Sequence, residues 1–109
     1  MGKIQADIVV FLHTRNRPDF LMRALSNFRE ISTAPIIILD ASDSPFFEEV
    51  FRQVEDVKDQ IGSLYLLHHD QEASISERFN DGLSISDSRM IYLMADDDLV
   101  LSEFPALAN

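Results

Sequence analysis

The chain has 109 residues, and its 19 Asp and Glu outnumber its 9 Lys and Arg, which gives a formal net charge of -10. This acidic balance argues against sequence-independent binding to nucleic acid and against binding to an anionic membrane surface, because each kind of binding needs a basic face on the protein. With 46% hydrophobic residues and no cysteine, the composition is typical of a soluble globular domain without disulfides, thiolate catalysis or zinc–sulfur sites.

A continuous β-branched and aromatic run, residues 8–12, predicts a first strand that is covered on both faces. The run is too short for a signal peptide or a membrane span, so we expect a cytoplasmic protein. A polar loop with two arginines follows, and Pro18 and Asp19 suit the first turn of a helix. The apolar stripe of this helix is predicted to contain Leu21, Met22, Leu25 and Phe28.

The middle of the chain predicts a second strand and a second helix. Residues 36–39 are apolar throughout and end at Asp40. Ser44 and Pro45 start the helix, and Gly62 ends it. Its apolar face is predicted to contain Phe47, Val50, Phe51, Val54, Val57 and Ile61, and we interpret Phe46, Phe47 and Phe51 as core or dimer-surface residues.

A third strand, residues 64–67, is followed by His68, His69 and Asp70. Adjacent histidines at a strand end point to opposite sides of a sheet, so they would share a metal awkwardly. We therefore interpret this stretch as a loop.

A third helix is predicted from the capping box of Ser74 and Glu77. Its buried residues are predicted to be Ile75, Phe79 and Leu83. Gly82 within the helix costs about 1 kcal/mol relative to alanine, which indicates a close packing contact at that point.

The fourth apolar run, residues 90–94, predicts a buried strand that leads into three adjacent carboxylates, Asp96, Asp97 and Asp98. Like charges this close repel one another. A hard divalent cation such as Mg²⁺ or Mn²⁺ prefers oxygen ligands, would remove that penalty and could neutralise a diphosphate. The triplet alone therefore predicts either a metal–diphosphate site or a solvated acidic turn.

Strands and helices alternate along the whole chain, which predicts an α/β fold: a Rossmann-like three-layer αβα domain with a mainly parallel sheet. Ligands of such sheets bind beyond the carboxyl ends of the strands. Residues 14–17, 40–43 and 96–98 follow the first, second and fourth strands, so they share that edge. Their convergence favours a functional site over a solvated turn.

These positions resemble the donor-binding half of the GT-A glycosyltransferases, in particular glycosyltransferase family 2. The stretches that carry the resemblance are Leu12-His13-Thr14-Arg15-Asn16-Arg17, Asp40-Ala41-Ser42-Asp43, Arg78-Phe79-Asn80-Asp81-Gly82 and Ala95-Asp96-Asp97-Asp98. The last one resembles the Asp-x-Asp motif of the family. The four stretches come in the family's order and span nearly the whole chain.

The resemblance implies a glycosyltransferase that binds a nucleoside-diphosphate sugar through Mn²⁺ or Mg²⁺ and transfers the sugar to an acceptor of unknown kind. A bound divalent ion would stabilise the charge that the leaving nucleoside diphosphate gains. By position, the implied nucleotide-binding residues are Thr14, Arg17, Asp40, Arg78 and Asp97, and the implied metal ligands are Asp96 and Asp98. A second alignment, with Asp97 and Asp98 as the final acidic pair, puts Ala95 in the place of the first aspartate.

The chain departs from the family pattern at three positions and in its length. His13 stands in the place of a proline, Arg15 in the place of a tyrosine, and Arg78 lies one residue early. Family members continue into an acceptor-binding half, whereas only residues 99–109 follow the triplet here. We expect residues 1–109 to be a single nucleotide-sugar-binding domain, truncated before that half, in which an exposed sheet edge favours a homodimer.

Several of these residues have simpler alternative roles. Asp40 could end its strand or cap the next helix, Arg17 could pair with Asp19, and Arg78 could be a surface residue beside Glu77. For the whole chain, the alternative is a non-catalytic nucleotide- or metal-binding module with the same half-fold.

Overall fold

The computed structural model describes residues 3–30, 32–61, 63–70 and 72–96. Its elements, in chain order, are β1 (Ile4–Thr14), α1 (Pro18–Arg29), β2 (Ile36–Asp40), α2 (Ser44–Ile61), β3 (Leu64–His68), α3 (Ile75–Ile85) and β4 (Ser86–Ala95). This order confirms the predicted alternation of strands and helices. The predictions for Gly62, Asp97 and Asp98 concern positions outside the described residues.

The four strands form one parallel sheet in the order β3-β2-β1-β4. Thr14 is in register with Asp40, and His13 is in register with Ala95. The carboxyl ends of β1, β2 and β4 therefore meet at one edge of the sheet. This confirms the parallel α/β class and the shared edge that the sequence predicts.

The two faces of the sheet carry separate apolar clusters. On one face Val10, Leu12 and Ile38 pack with the buried residues of α1 and α2. On the other, Val9, Phe11, Ile37 and Leu39 pack with Phe79 and Ile85 of α3. Side chains alternate between the faces along each strand, so each face receives every second residue. The result is the three-layer arrangement predicted, with α1 and α2 on one side and α3 on the other.

Helices α1 and α2 mostly pack as the sequence predicts. Pro18 begins α1, and Leu21, Leu25 and Phe28 are buried, while Met22 is partly buried. In α2, Val50 and Val54 are buried, but Phe51 is 50% exposed, so it is not a core residue, and its alternative place on a dimer surface stays a prediction. None of the described helices is long and apolar enough to cross a membrane.

Helix α3 buries only part of the predicted stripe: Phe79 packs against the apolar cluster of the sheet, as expected. Ile75 is 63% exposed and Leu83 is 37% exposed, whereas Arg78 and Gly82 are buried. A Cβ at Gly82 would lie 2.7 Å from a ring carbon of Phe11, which confirms the close packing contact expected there. The glycine lets the helix approach this ring. Gly82 and Arg78, which lies one turn earlier, therefore also face the sheet.

Strand β4 is an edge strand, which corrects the prediction that it is buried. It begins at Ser86, directly after α3, and pairs with β1. Met90 is 47% exposed and Leu93 is 54% exposed, although Met94 is buried. On the α3 face Ile91 packs against the apolar cluster, but Leu93 lies outside it. The apolar run reflects β-propensity more than burial on both faces.

Candidate functional site

The carboxyl-terminal rim of the sheet brings together polar residues from β1, β2 and β4, with the loops that follow them. We use "the rim" for Thr14, Asn16, Arg17, Asp40, Ser42 and Asp96. The strands are held in step here by main-chain hydrogen bonds: the Asp96 amide donates to the His13 carbonyl at 3.1 Å, and the Ala41 amide donates to the Thr14 carbonyl at 3.1 Å. The rim is therefore a continuation of the sheet and not a loose cluster of loops.

Asp96 is the centre of the β1–β4 side of the rim. Thr14 Oγ1 donates a 2.8 Å hydrogen bond to Asp96 Oδ2, and Arg17 Nη2 contacts Asp96 Oδ1 as an ion pair. The Asp96 side chain is fully buried, whereas that of Arg17 is 44% exposed. The buried charge therefore has both a hydroxyl and a guanidinium to stabilise it. Three of the predicted site residues, Thr14, Arg17 and Asp96, are thus brought together.

Asp40 is the rim residue at the end of β2, and it has no exposed surface. Its Oδ1 accepts a 2.6 Å hydrogen bond from Ser42 Oγ, and its Oδ2 lies 2.8 Å from His68 Nδ1 and 3.3 Å from the Ser42 amide. The His68 ring stacks on Phe47, with ring centroids 3.7 Å apart. In this arrangement Asp40 ties β2 to β3 and to its own loop, so its oxygens face protein donors.

The loop after β1 is fixed to the loop after β2 through Asn16. The Asn16 amide donates to Ser42 Oγ at 2.8 Å, its side-chain amide donates to Asp43 at 3.1 Å, and its side-chain carbonyl accepts from the Asp43 amide at 2.8 Å. Asn16 has a φ of 57°, a left-handed conformation that asparagine tolerates better than most residues. These contacts hold the two loops in one geometry.

His68 and His69 diverge, as predicted for adjacent residues at a strand end. His68 points to Asp40 and Phe47, whereas His69 Nε2 lies 2.6 Å from Asp81 of α3. His68 belongs to β3, so only the residues after it form the predicted loop. A cavity of about 530 Å³ opens beside this end of the rim, lined by Ser42, Asp43, Ser44, Phe47, His68, His69 and Asp70. Its size is in the range of small-molecule sites.

The α3 side of the rim is basic. Arg78 is 9% exposed, and its Nη1 donates a 3.4 Å hydrogen bond to the Leu39 carbonyl. Burial lowers the pKa of Arg78, the nearby Arg15 lowers it further, and Asp40 opposes them. Burial, and then the charge of Arg78, lower the pKa of His13. Arg78 is thus neither a surface residue nor part of the Thr14–Asp96 group. We call His13, Arg15 and Arg78 the basic cluster.

The described part of the chain contains one of the two predicted metal ligands. Of the three aspartates in the triplet, Asp96 is the one that is described, and each of its oxygens already accepts a proton donor. No group of three His, Cys, Asp or Glu side chains that could hold a metal occurs among the described residues. A cation at Asp96 Oδ1 would compete with the guanidinium of Arg17 for that oxygen.

Sequence reasoning missed three residues that shape the rim: Asn16, Ser42 and His68. Asn16 carried a usable signal, since asparagine in a short loop is a common left-handed residue. The contact between His68 and Asp40 had no local signal, because it depends on the pairing of β2 with β3.

Comparison with known proteins finds no relative from which a function could be inferred. No family model, no curated protein and no solved structure matches the chain. The function is therefore inferred from the rim.

Proposed function

We propose that the chain binds a nucleoside diphosphate at the rim, as the donor-binding part of a glycosyltransferase that acts on a nucleotide sugar. The observation that carries the proposal is the meeting of Thr14, Arg17 and Asp96 at the carboxyl edge of a parallel sheet. Ligands of open α/β sheets bind at that edge. The ion pair with the buried carboxylate fixes the position of the half-exposed Arg17 at that edge.

The adjoining cavity supplies the space that the proposal needs. It lies next to the loop after β2, and its lining combines Phe47 and His68 with the polar groups of Ser42 and Asp43. An aromatic surface and polar groups are what a nucleoside needs for stacking and hydrogen bonding. A larger cavity, of about 600 Å³, lies between α1 and α2 and contains none of the rim residues. We prefer the smaller cavity because of its chemistry.

A second candidate is a nucleotide-binding module that neither uses a metal nor transfers a sugar. It is favoured by the ion pair of Arg17 with Asp96, which already neutralises the carboxylate that the resemblance assigns to Mn²⁺ or Mg²⁺. In that case the positive charge opposite a diphosphate comes from arginine side chains. Asp97 and Asp98, which lie outside the described residues, decide how much a metal adds.

A thermal-shift panel of nucleoside diphosphates, with Mn²⁺ or with EDTA, tests the binding proposal. A ligand at a hundred times its dissociation constant should add about 2.7 kcal/mol to the free energy of unfolding. We expect at least one nucleoside diphosphate to raise Tm, and no nucleoside without phosphates to do so. No shift with any base in either buffer would reject the proposal.

Two further measurements separate the candidates. If metal contributes, Asp98→Asn should abolish the Mn²⁺-dependent part of the shift, and an unchanged metal response would remove Asp98 from the site. Incubation with sugar nucleotides then distinguishes catalysis from binding, because a glycosyltransferase hydrolyses or transfers the sugar whereas a binding module leaves it intact.

A further inference from the structure

The guanidinium of Arg78 is a buried cation with few partners. Besides the 3.4 Å hydrogen bond from Nη1 to the Leu39 carbonyl, its Nε is shielded from solvent and has no hydrogen-bond partner in the described part of the chain. Guanidinium carries five N–H donors. Leaving buried donors unpaired costs free energy, and more so when the group is charged. The buried guanidinium of Arg78 therefore lacks hydrogen-bond acceptors among the described residues.

The surroundings of Arg78 add positive charge. The second arginine of the basic cluster, Arg15, is exposed and follows directly after the end of β1, the strand that lies beside the Leu39 carbonyl contacted by Arg78, and its charge lowers the pKa of Arg78. Asp40 is the acidic group whose charge acts on Arg78, but its carboxylate oxygens are occupied by Ser42 and His68. Two like charges thus lie together on a chain whose formal net charge is -10. An anion would remove this repulsion.

We propose that Arg15 and Arg78 bind a phosphate group directly on the α3 side of the rim, without a bridging metal ion. A phosphate supplies negative charge and several acceptor oxygens, and its geometry suits the planar fork of a guanidinium. Arg78 provides the buried, pre-positioned contact, and Arg15 closes on the phosphate from the solvent side. The resemblance already implies that Arg78 binds the nucleotide, whereas the role of Arg15, which stands in the place of a tyrosine, and the direct contact without a metal go beyond it.

This inference deepens the proposed function, and it rests on that function only for the molecule that carries the phosphate. Inorganic phosphate and pyrophosphate are therefore sufficient probes for the site itself. A nucleoside diphosphate is needed only to test the nucleotide.

Calorimetric titration of the full chain with inorganic pyrophosphate and with phosphate, in EDTA and at fixed ionic strength, tests the site. We expect saturable binding, with a loss of affinity of about tenfold in Arg15→Gln, because one charge-assisted contact is removed. Arg89→Gln is the matched control: Arg89 is also exposed, lies on β4 and has no part in the basic cluster. It should bind as the unaltered chain does.

Arg78→Lys tests the buried contact, since it keeps the charge but removes the fork, and it should also weaken pyrophosphate binding. If this variant does not fold, Arg15→Gln still decides the question. In the unaltered chain, the Nε–Hε NMR signal of Arg78 should shift on addition of pyrophosphate. An absence of saturable binding in EDTA, or equal losses in Arg15→Gln and Arg89→Gln, would overturn the inference.

Failure of the two proposals can be told apart. If pyrophosphate binds through Arg15 but nucleoside diphosphates bind no more tightly, the phosphate site stands and the nucleotide function falls. If nucleoside diphosphates bind and Arg15→Gln changes nothing, the nucleotide function stands and the phosphate site falls.

Discussion

Thr14 and Asp96 are 82 positions apart in the sequence, yet Thr14 Oγ1 donates a 2.8 Å hydrogen bond to Asp96 Oδ2 at the end of adjacent parallel strands. The bond joins the first strand of the chain to the last described one. Because Asp96 also holds Arg17, the same contact links the stability of the rim to the position of the cation proposed to meet a diphosphate.

Replacing Thr14 by valine should destabilise the fold, because the shape is kept while Asp96 loses its hydroxyl donor. A buried acceptor left without its partner costs about 1–3 kcal/mol. Urea unfolding measures the loss as a lower midpoint at an unchanged slope. Thr33→Val is the control, since Thr33 is exposed between α1 and β2 and should change stability little. Equal effects of the two substitutions would show that the Thr14–Asp96 bond contributes nothing.

Replacing Gly82 by alanine should destabilise the chain, even though alanine is the better helix former by about 1 kcal/mol. The new Cβ would lie 2.7 Å from the Phe11 ring, and overpacking of this kind costs about 1–3 kcal/mol. The double variant with Phe11→Leu should lose less than the sum of the two single losses. Asn80→Ala, on the exposed face of α3, is the control. A stabilising effect of Gly82→Ala would contradict the close contact.

Stability should fall as the pH is lowered through the titration of His13. Burial and the charge of Arg78 lower its pKa below the ordinary value of 6.5, so the unfolded chain binds the proton more readily than the folded one. The contribution of neutral His13 is therefore fully present above pH 6.5 and is lost as the pH falls through the lowered pKa.

The comparison that isolates His13 is the unfolding free energy of the unaltered chain and of His13→Gln from neutral to acidic pH. The variant should lose less stability on acidification, and an NMR titration should place the pKa of His13 below that of an unfolded histidine. Parallel stability curves for the two proteins, together with an unshifted titration, would refute the effect.

Much of the fold follows from local pattern. The apolar runs locate all four strands, Pro18 marks the start of α1, and the capping box of Ser74 and Glu77 marks the start of α3, where both of its hydrogen bonds form. What local pattern misses depends on neighbours in space. Leu93 is apolar but exposed, because exposure is set by the place of β4 at the sheet edge, which the run of residues does not encode.

The candidate site was predicted in outline and not in detail. Topology alone brings Thr14 and Asp96 to the same edge, so their proximity could be foreseen. The sequence could not show that Arg17 would form an ion pair with Asp96, nor that Asp40 would hydrogen-bond to His68. Each of these side chains has several polar neighbours, and only the folded structure determines which of them it contacts. The burial of Arg78 was missed because a charged residue in a helix is normally assigned to the surface.

The most direct test of the rim as a diphosphate site is calorimetric titration of the full chain and two arginine variants with the nucleoside diphosphate that gives the largest thermal shift. Arg17 and Arg23 both lie over the ring of Phe20, at 5.0 and 5.4 Å from its centroid, but only Arg17 is placed against Asp96. We predict saturable binding by the unaltered chain and by Arg23→Gln, and a loss of affinity of about tenfold or more in Arg17→Gln. Equal affinity in all three proteins, or no binding by the unaltered chain, would contradict the account.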